Sequence, residues 1–137
     1  MLPRGASAGA GRAPIAVLRG ARRIWTIGAV HGDTNRLEAL CQQLIPRFEL
    51  GDRLVFLGNY LGYGNTIPET VDTLLALRRA FMARPPYVPA EDIVFLRGCQ
   101  EEMLRCILEL QFAVDPGNIL EWALGRGAGP TISAYGG

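Results

Sequence analysis

The sequence predicts an α/β domain built on a mainly parallel sheet. Three observations carry that expectation. Short continuous apolar runs, Ile24-Trp25-Thr26-Ile27, Leu54-Val55-Phe56-Leu57 and Ile93-Val94-Phe95-Leu96, alternate with longer segments of helical period. Each run leads into a glycine, at Gly28, Gly58 and Gly98. The order is therefore β-α-β-α-β-α, which right-handed crossovers turn into a parallel sheet. Strands that are apolar along their whole length are expected to be covered on both faces.

The elements follow in order. No acid precedes Asp33, whereas Arg4, Arg12, Arg19, Arg22 and Arg23 all do. Residues 1–22 read as a disordered tail whose Arg-, Ala- and Ser-rich composition is shared with transit peptides, and residues 23–137 as the folded domain. After the first strand, Leu37, Leu40, Cys41, Leu44 and Ile45 share one helical face, with Asp33 or Thr34 as N-cap. Pro46 ends that helix, and Gly51-Asp52 turns the chain into a strand from Arg53 to Leu57. The second helix opens on Thr66-x-x-Glu69, a capping box, with Pro68 in the first turn. Its expected buried stripe is Ile67, Val71, Leu74, Leu75 and Phe81. Glu101 and Glu102 open a third helix after the third strand, and a short fourth helix runs from Pro116 or Gly117 to about Leu124.

The totals narrow the function classes. The 137 residues are 49% hydrophobic, enough for one domain with a core. A formal net charge of +1 indicates no nucleic acid and no anionic membrane as partner. No apolar run approaches the ~20 residues of a membrane span. Cys41, Cys99 and Cys106 form no C-x-x-C pair, which points to free thiols in the cytoplasm. Cys41 and Cys106 lie among Leu and Ile and read as core.

The three strand-end segments fall on the carboxyl edge of the sheet, where open α/β sheets bind ligands. They read Gly28-Ala29-Val30-His31-Gly32, Gly58-Asn59-Tyr60-Leu61-Gly62-Tyr63-Gly64 and Gly98-Cys99-Gln100-Glu101. In order, placement and spacing they resemble the calcineurin-like metallophosphoesterases, in the bacterial serine/threonine phosphatase and dinucleoside-tetraphosphatase branch. That family carries G-D-x-H-G, G-D-x-x-D-R-G and G-N-H-E. Ile132-Ser133-Ala134-Tyr135-Gly136 is similar to a serine-tyrosine-glycine segment of the same branch. The resemblance spans roughly Ile24 to Gly136. It implies the N-terminal half of an αββα sandwich whose second half adds strands and histidine ligands. The chain is then expected to be a fragment, a prematurely ended frame, or a half-domain that needs a partner.

The resemblance implies two-metal phosphoester hydrolysis, and the departures fall on that chemistry. Ala29 stands at the first metal-binding aspartate and Asn59 at the bridging one. Gly62 and Tyr63 stand at the next aspartate and arginine, Cys99 at the asparagine ligand, and Gln100 at the leaving-group acid. His31, Glu101 and the glycines Gly28, Gly32, Gly58, Gly64 and Gly98 keep the pattern. Two divalent ions about 4 Å apart repel by roughly 17 kcal/mol at an effective dielectric of about 20. Neutral side chains do not offset that repulsion, so no bound cofactor is expected. Any metal, as Mn, Fe, Zn or Mg, falls to His31 and Asn59, with Asp33 and Cys99 as further candidates. The expectation is a catalytically impaired, pseudophosphatase-like binding module. The alternatives are an active phosphoesterase with an altered metal site, or a phosphate or nucleotide binder using backbone N–H groups at Gly28, Gly32, Gly58, Gly62, Gly64 and Gly98. Arg97 either meets a phosphate, pairs with Glu101 or is exposed to solvent. The open sheet edge offers a place for a protein partner or a second copy.

Overall fold

The computed structural model describes residues 17–18, 20–83 and 92–137. Strand β1 (Arg23–Ile27) leads through helix α1 (Thr34–Leu44) to β2 (Asp52–Phe56), and α2 (Ile67–Met82) leads to β3 (Ile93–Phe95). Helices α3 (Cys99–Leu108), α4 (Pro116–Leu124) and α5 (Gly129–Ala134) follow. The expected tail lies mostly outside the described residues. Arg22 N–H nevertheless donates to the Gly51 carbonyl at 2.8 Å, so the folded part reaches past Arg23.

The sheet is three-stranded and all parallel, in the order β1-β2-β3. Trp25 pairs with Leu54, and Leu54 with Ile93, so alternate residues form one continuous inner face. Ile27, Leu54, Phe56 and Ile93 on that face bury against Leu37 and Cys41 of α1 and Leu74, Leu77 and Phe81 of α2. Phe56 and Phe95 stack with ring centroids 4.8 Å apart.

The expectation that both faces are covered fails at β1. Ile24 is 54% exposed and Thr26 is exposed too. Both crossover helices lie against the same face, so the alternate residues of this edge strand face outward. The helix stripes are also narrower than expected. Leu40 is 44% exposed because α1 sits beside the edge strand, with no further strand to receive that side chain. On α2 the buried stripe is Ile67, Thr70, Leu74, Leu77 and Phe81, a spacing of alternating three and four, and Leu75 is 46% exposed. The Thr66 capping box does not form. Its hydroxyl instead donates to the Gly32 carbonyl at 2.8 Å and accepts from Thr34 N–H at 3.1 Å, tying the starts of α1 and α2 together.

At the opposite end of the sheet Asp52 is 1% exposed. Its carboxylate accepts from Arg23 Nη2 at 2.8 Å, from Trp25 Nε1 at 2.9 Å and from Glu49 N–H at 3.0 Å. The Arg23 hydrogen bonds, first, hold this carboxyl well below the usual carboxylate range, and they outweigh its desolvation. Unfolding returns it to about 3.9. The unfolded chain then binds the proton first, so this stabilisation is complete above about pH 4 and drains away as the pH falls further. Asp52→Ala is expected to cost about 2–4 kcal/mol in urea unfolding at neutral pH, because Trp25 and Glu49 N–H groups lose their acceptor. Asp52→Asn is expected to flatten the acid limb of the stability curve.

Candidate functional site

The three strand-end turns meet at the carboxyl edge and hold one another by backbone contacts. Val30 and His31 N–H donate to the Asn59 carbonyl at 3.0 and 2.9 Å, and Gly32 N–H donates to Tyr60 O at 2.7 Å. Gly58 lies against the Gly98 backbone, and Gly64 against the carbonyls of His31 and Gly32. A Cβ at Gly58, Gly64 or Gly98 meets backbone or Asn59 at once, which is the reason these positions carry none. Gly28 is different, since open space surrounds its missing Cβ.

Glu101 sits at the centre. Its Oε2 accepts from Asn59 N–H at 2.7 Å and Gly98 N–H at 2.8 Å, and its Oε1 from Tyr60 N–H at 2.8 Å and Leu61 N–H at 3.3 Å. Four main-chain donors from two turns thus converge on one carboxylate. An acid from α3 already fills the nest that the glycine turn after β2 forms. Gly62 N–H is taken as well, by the buried Thr131 hydroxyl of α5 at 3.0 Å. Of the glycine donors expected to hold a phosphate at this turn, Gly62 is therefore committed within the chain, as are the intervening N–H groups of Asn59, Tyr60 and Leu61.

The positions set apart in the sequence are committed in the same way. Asn59 Oδ1 accepts from Gln100 N–H at 3.1 Å. Gln100 is buried, and its Nε2 donates to the Arg126 carbonyl at 3.1 Å. Tyr63 reaches the same carbonyl with its hydroxyl at 3.0 Å. His31 Nδ1 lies 3.2 Å from the Leu61 carbonyl, which fixes the proton on that nitrogen, and the ring meets Tyr63 edge-on at 5.3 Å. His31 and Asn59 both adopt positive φ, 54° and 57°, where they face each other across the two turns. Asp33 caps α1 by accepting from Arg36 N–H at 2.9 Å. Cys99 is exposed at the first residue of α3. Ala29 is exposed beside Gly28. Arg97 pairs with Glu102 at 3.3 Å and not with Glu101, whose oxygens are taken.

Tyr60 joins β2 to β3. Its hydroxyl donates to the Leu96 carbonyl at 2.8 Å. Burial, and then the Glu101 charge, push that hydroxyl well above its ordinary pKa, so it stays a neutral donor.

Among the described residues no three His, Cys, Asp or Glu side chains gather as a metal-binding group. The amide oxygen of Asn59 is spent on Gln100, and the carboxylate of Glu101 on the main chain. Thr131 and the Arg126 carbonyl are the site partners that sequence reading missed. A lone threonine 69 residues from Gly62 carries no local signal, and a carbonyl is the same in every residue. No protein-family model matches the chain, and no curated protein matches it. Among the described residues no helix is long and apolar enough to cross a membrane.

Glu101→Gln is expected to cost about 2–4 kcal/mol in chemical denaturation, since an amide offers one acceptor oxygen to four N–H groups. Gly62→Asp is expected to destabilise the fold or prevent it. Gly62 has φ 103°, and its Cβ lies 2.8 Å from Gln100 Cδ. A wild-type denaturation midpoint for Gly62→Asp overturns that account of the turn.

Proposed function

We propose that this chain is a metallophosphoesterase-like domain that binds without hydrolysing, a pseudophosphatase by descent. Support for the lineage comes from three motif-like turns on three successive parallel strand ends, in the family's order. Support for a non-catalytic role comes from one observation above the rest. Every polar side chain at the motif positions of the second and third turns, Cys99 excepted, already serves an internal hydrogen bond. Gln100, where the family keeps its leaving-group acid, has an amide that carries no titratable proton. Its Nε2 also anchors the loop at Arg126, so it is not free to swing toward a substrate.

The protein belongs, on this reading, among domains that use an enzyme's framework as a recognition surface. The half-sandwich and its partner-binding edge are part of the same proposal. Strand β1 pairs with β2 alone among the described residues, which leaves an edge that suits a covering partner.

Metal analysis of purified protein is expected to find well under one Mn, Fe, Zn or Mg per chain, and no metal-dependent hydrolysis of p-nitrophenyl phosphate. Two bound metals per chain, or turnover that His31→Ala abolishes, sinks the proposal. The double variant Ala29→Asp/Asn59→Asp is expected to bind Mn²⁺ more tightly than wild type and still to show no turnover. Hydrolysis in that variant shows that Gln100 is no barrier.

A further inference from the structure

One cleft lies beside the closed network of the turns and shares only Val30 with it. It lies between the carboxyl end of β1 and α1 and has a volume of about 190 Å³. Among its lining residues are one cation, Arg36, and the two small residues Gly28 and Ala29. Arg36 reaches it from α1, and no carboxylate lies within ion-pair distance of that guanidinium among the described residues. Asp33, the nearest acid in sequence, is occupied in capping the helix with the Arg36 main-chain N–H. No acid lines the cleft.

The N–H groups of Gly28 and Ala29 have no hydrogen-bond partner among the described residues. Ile27 gives its carbonyl to Leu57 N–H on β2. Alternate residues of a parallel strand face the same neighbour, so the Gly28 amide faces the open edge. The remaining walls are the side chains of Ile27, Val30, Leu37 and Leu40. Leu40 is exposed only because it stands at this rim.

We propose that this cleft binds a small organic carboxylate. The guanidinium of Arg36 and the Gly28 amide receive the carboxylate, and the aliphatic walls receive its apolar body. The guanidinium fork matches a carboxylate in shape. A single cation among aliphatic walls suits a monoanion with an apolar flank better than a bare dianion, whose desolvation it does not offset. The volume falls below the roughly 300 Å³ of the smallest ordinary ligand pockets, which sets the ligand at fragment size. This gives the non-catalytic reading above a place and a ligand class. It adds Arg36 and Leu40, which lie outside the motif positions.

Benzoate is a suitable probe. Titrated into the ¹⁵N-labelled full chain, it is expected to shift the Gly28, Ala29, Val30 and Leu40 amides saturably, with a Kd of about a millimolar for a ligand of this size. Arg36→Gln and Leu40→Glu are expected to weaken binding by about tenfold or more, with the rest of the spectrum unchanged. Both side chains are exposed, so neither change disturbs the core. Inorganic phosphate is expected to bind about tenfold more weakly than benzoate. The proposal is overturned by unsaturable or absent shifts at those amides up to about 50 mM benzoate. Binding that Arg36→Gln leaves intact overturns it too, as does phosphate binding equal to benzoate. Metal loading and hydrolysis are measured separately, so a hydrolytically active protein defeats the previous section while the cleft stands or falls on these titrations.

Discussion

The carboxylate of Glu101 is the constraint on which the rest of this edge depends. It gathers four main-chain N–H groups from the turns after β2 and β3. Buried N–H groups without acceptors are costly, and a tight turn in which Asn59, Tyr60 and Leu61 direct consecutive donors inward needs an anion to fill it. The chain supplies that anion from the first turn of α3, where the helix dipole also favours it. Once Glu101 is in place, Gly98 lies against Gly58, and no side chain fits between them. Asn59 then reaches Gln100 N–H, and its carbonyl receives Val30 and His31. One ion thus sets the spacing of three strand ends.

The same closure shapes what the domain can do. A site for hydrolysis needs groups that are positioned yet unspent. Here the second and third turns, Cys99 excepted, spend their side chains on internal hydrogen bonds, among them bonds to each other and to the segment that leads into α5. Tyr63 and Gln100 converge on the Arg126 carbonyl, and Thr131 holds Gly62, so the C-terminal helices are fastened to the motif turns by hydrogen bonds that cross more than twenty residues of chain. The second and third turns form a packing interface. The first turn differs, because Gly28 and Ala29 line a cleft together with Arg36.

Much of the fold is legible from residue order. The three apolar runs are the three strands, each within one or two residues of its expected bounds. Asp33 caps α1, and Cys41 and Cys106 are buried. The errors have physical causes. The Thr66-x-x-Glu69 pattern predicts a capping box, but the hydroxyl finds Gly32 and Thr34 across the turn. Thr70 is buried in place of a leucine because its hydroxyl meets Thr34 Oγ1 at 2.9 Å. Ile24 reads as core and is exposed because apolar content alone does not say which face of a strand is covered. Helix α5 had no periodic signal, being six residues long.

The sequence by itself determined the alternation of strands and helices, the parallel sheet that follows from it, and the placement of three glycine turns along one edge. Those depend on local pattern and on the handedness of crossovers, which short stretches encode. Only the tertiary structure decided what the turns are for. Whether Glu101 is a ligand, a helix-end charge or the acceptor for four amides depends on which backbone groups meet it from forty residues away. Residue type limits the bonds a side chain can make, and the packed chain selects among them.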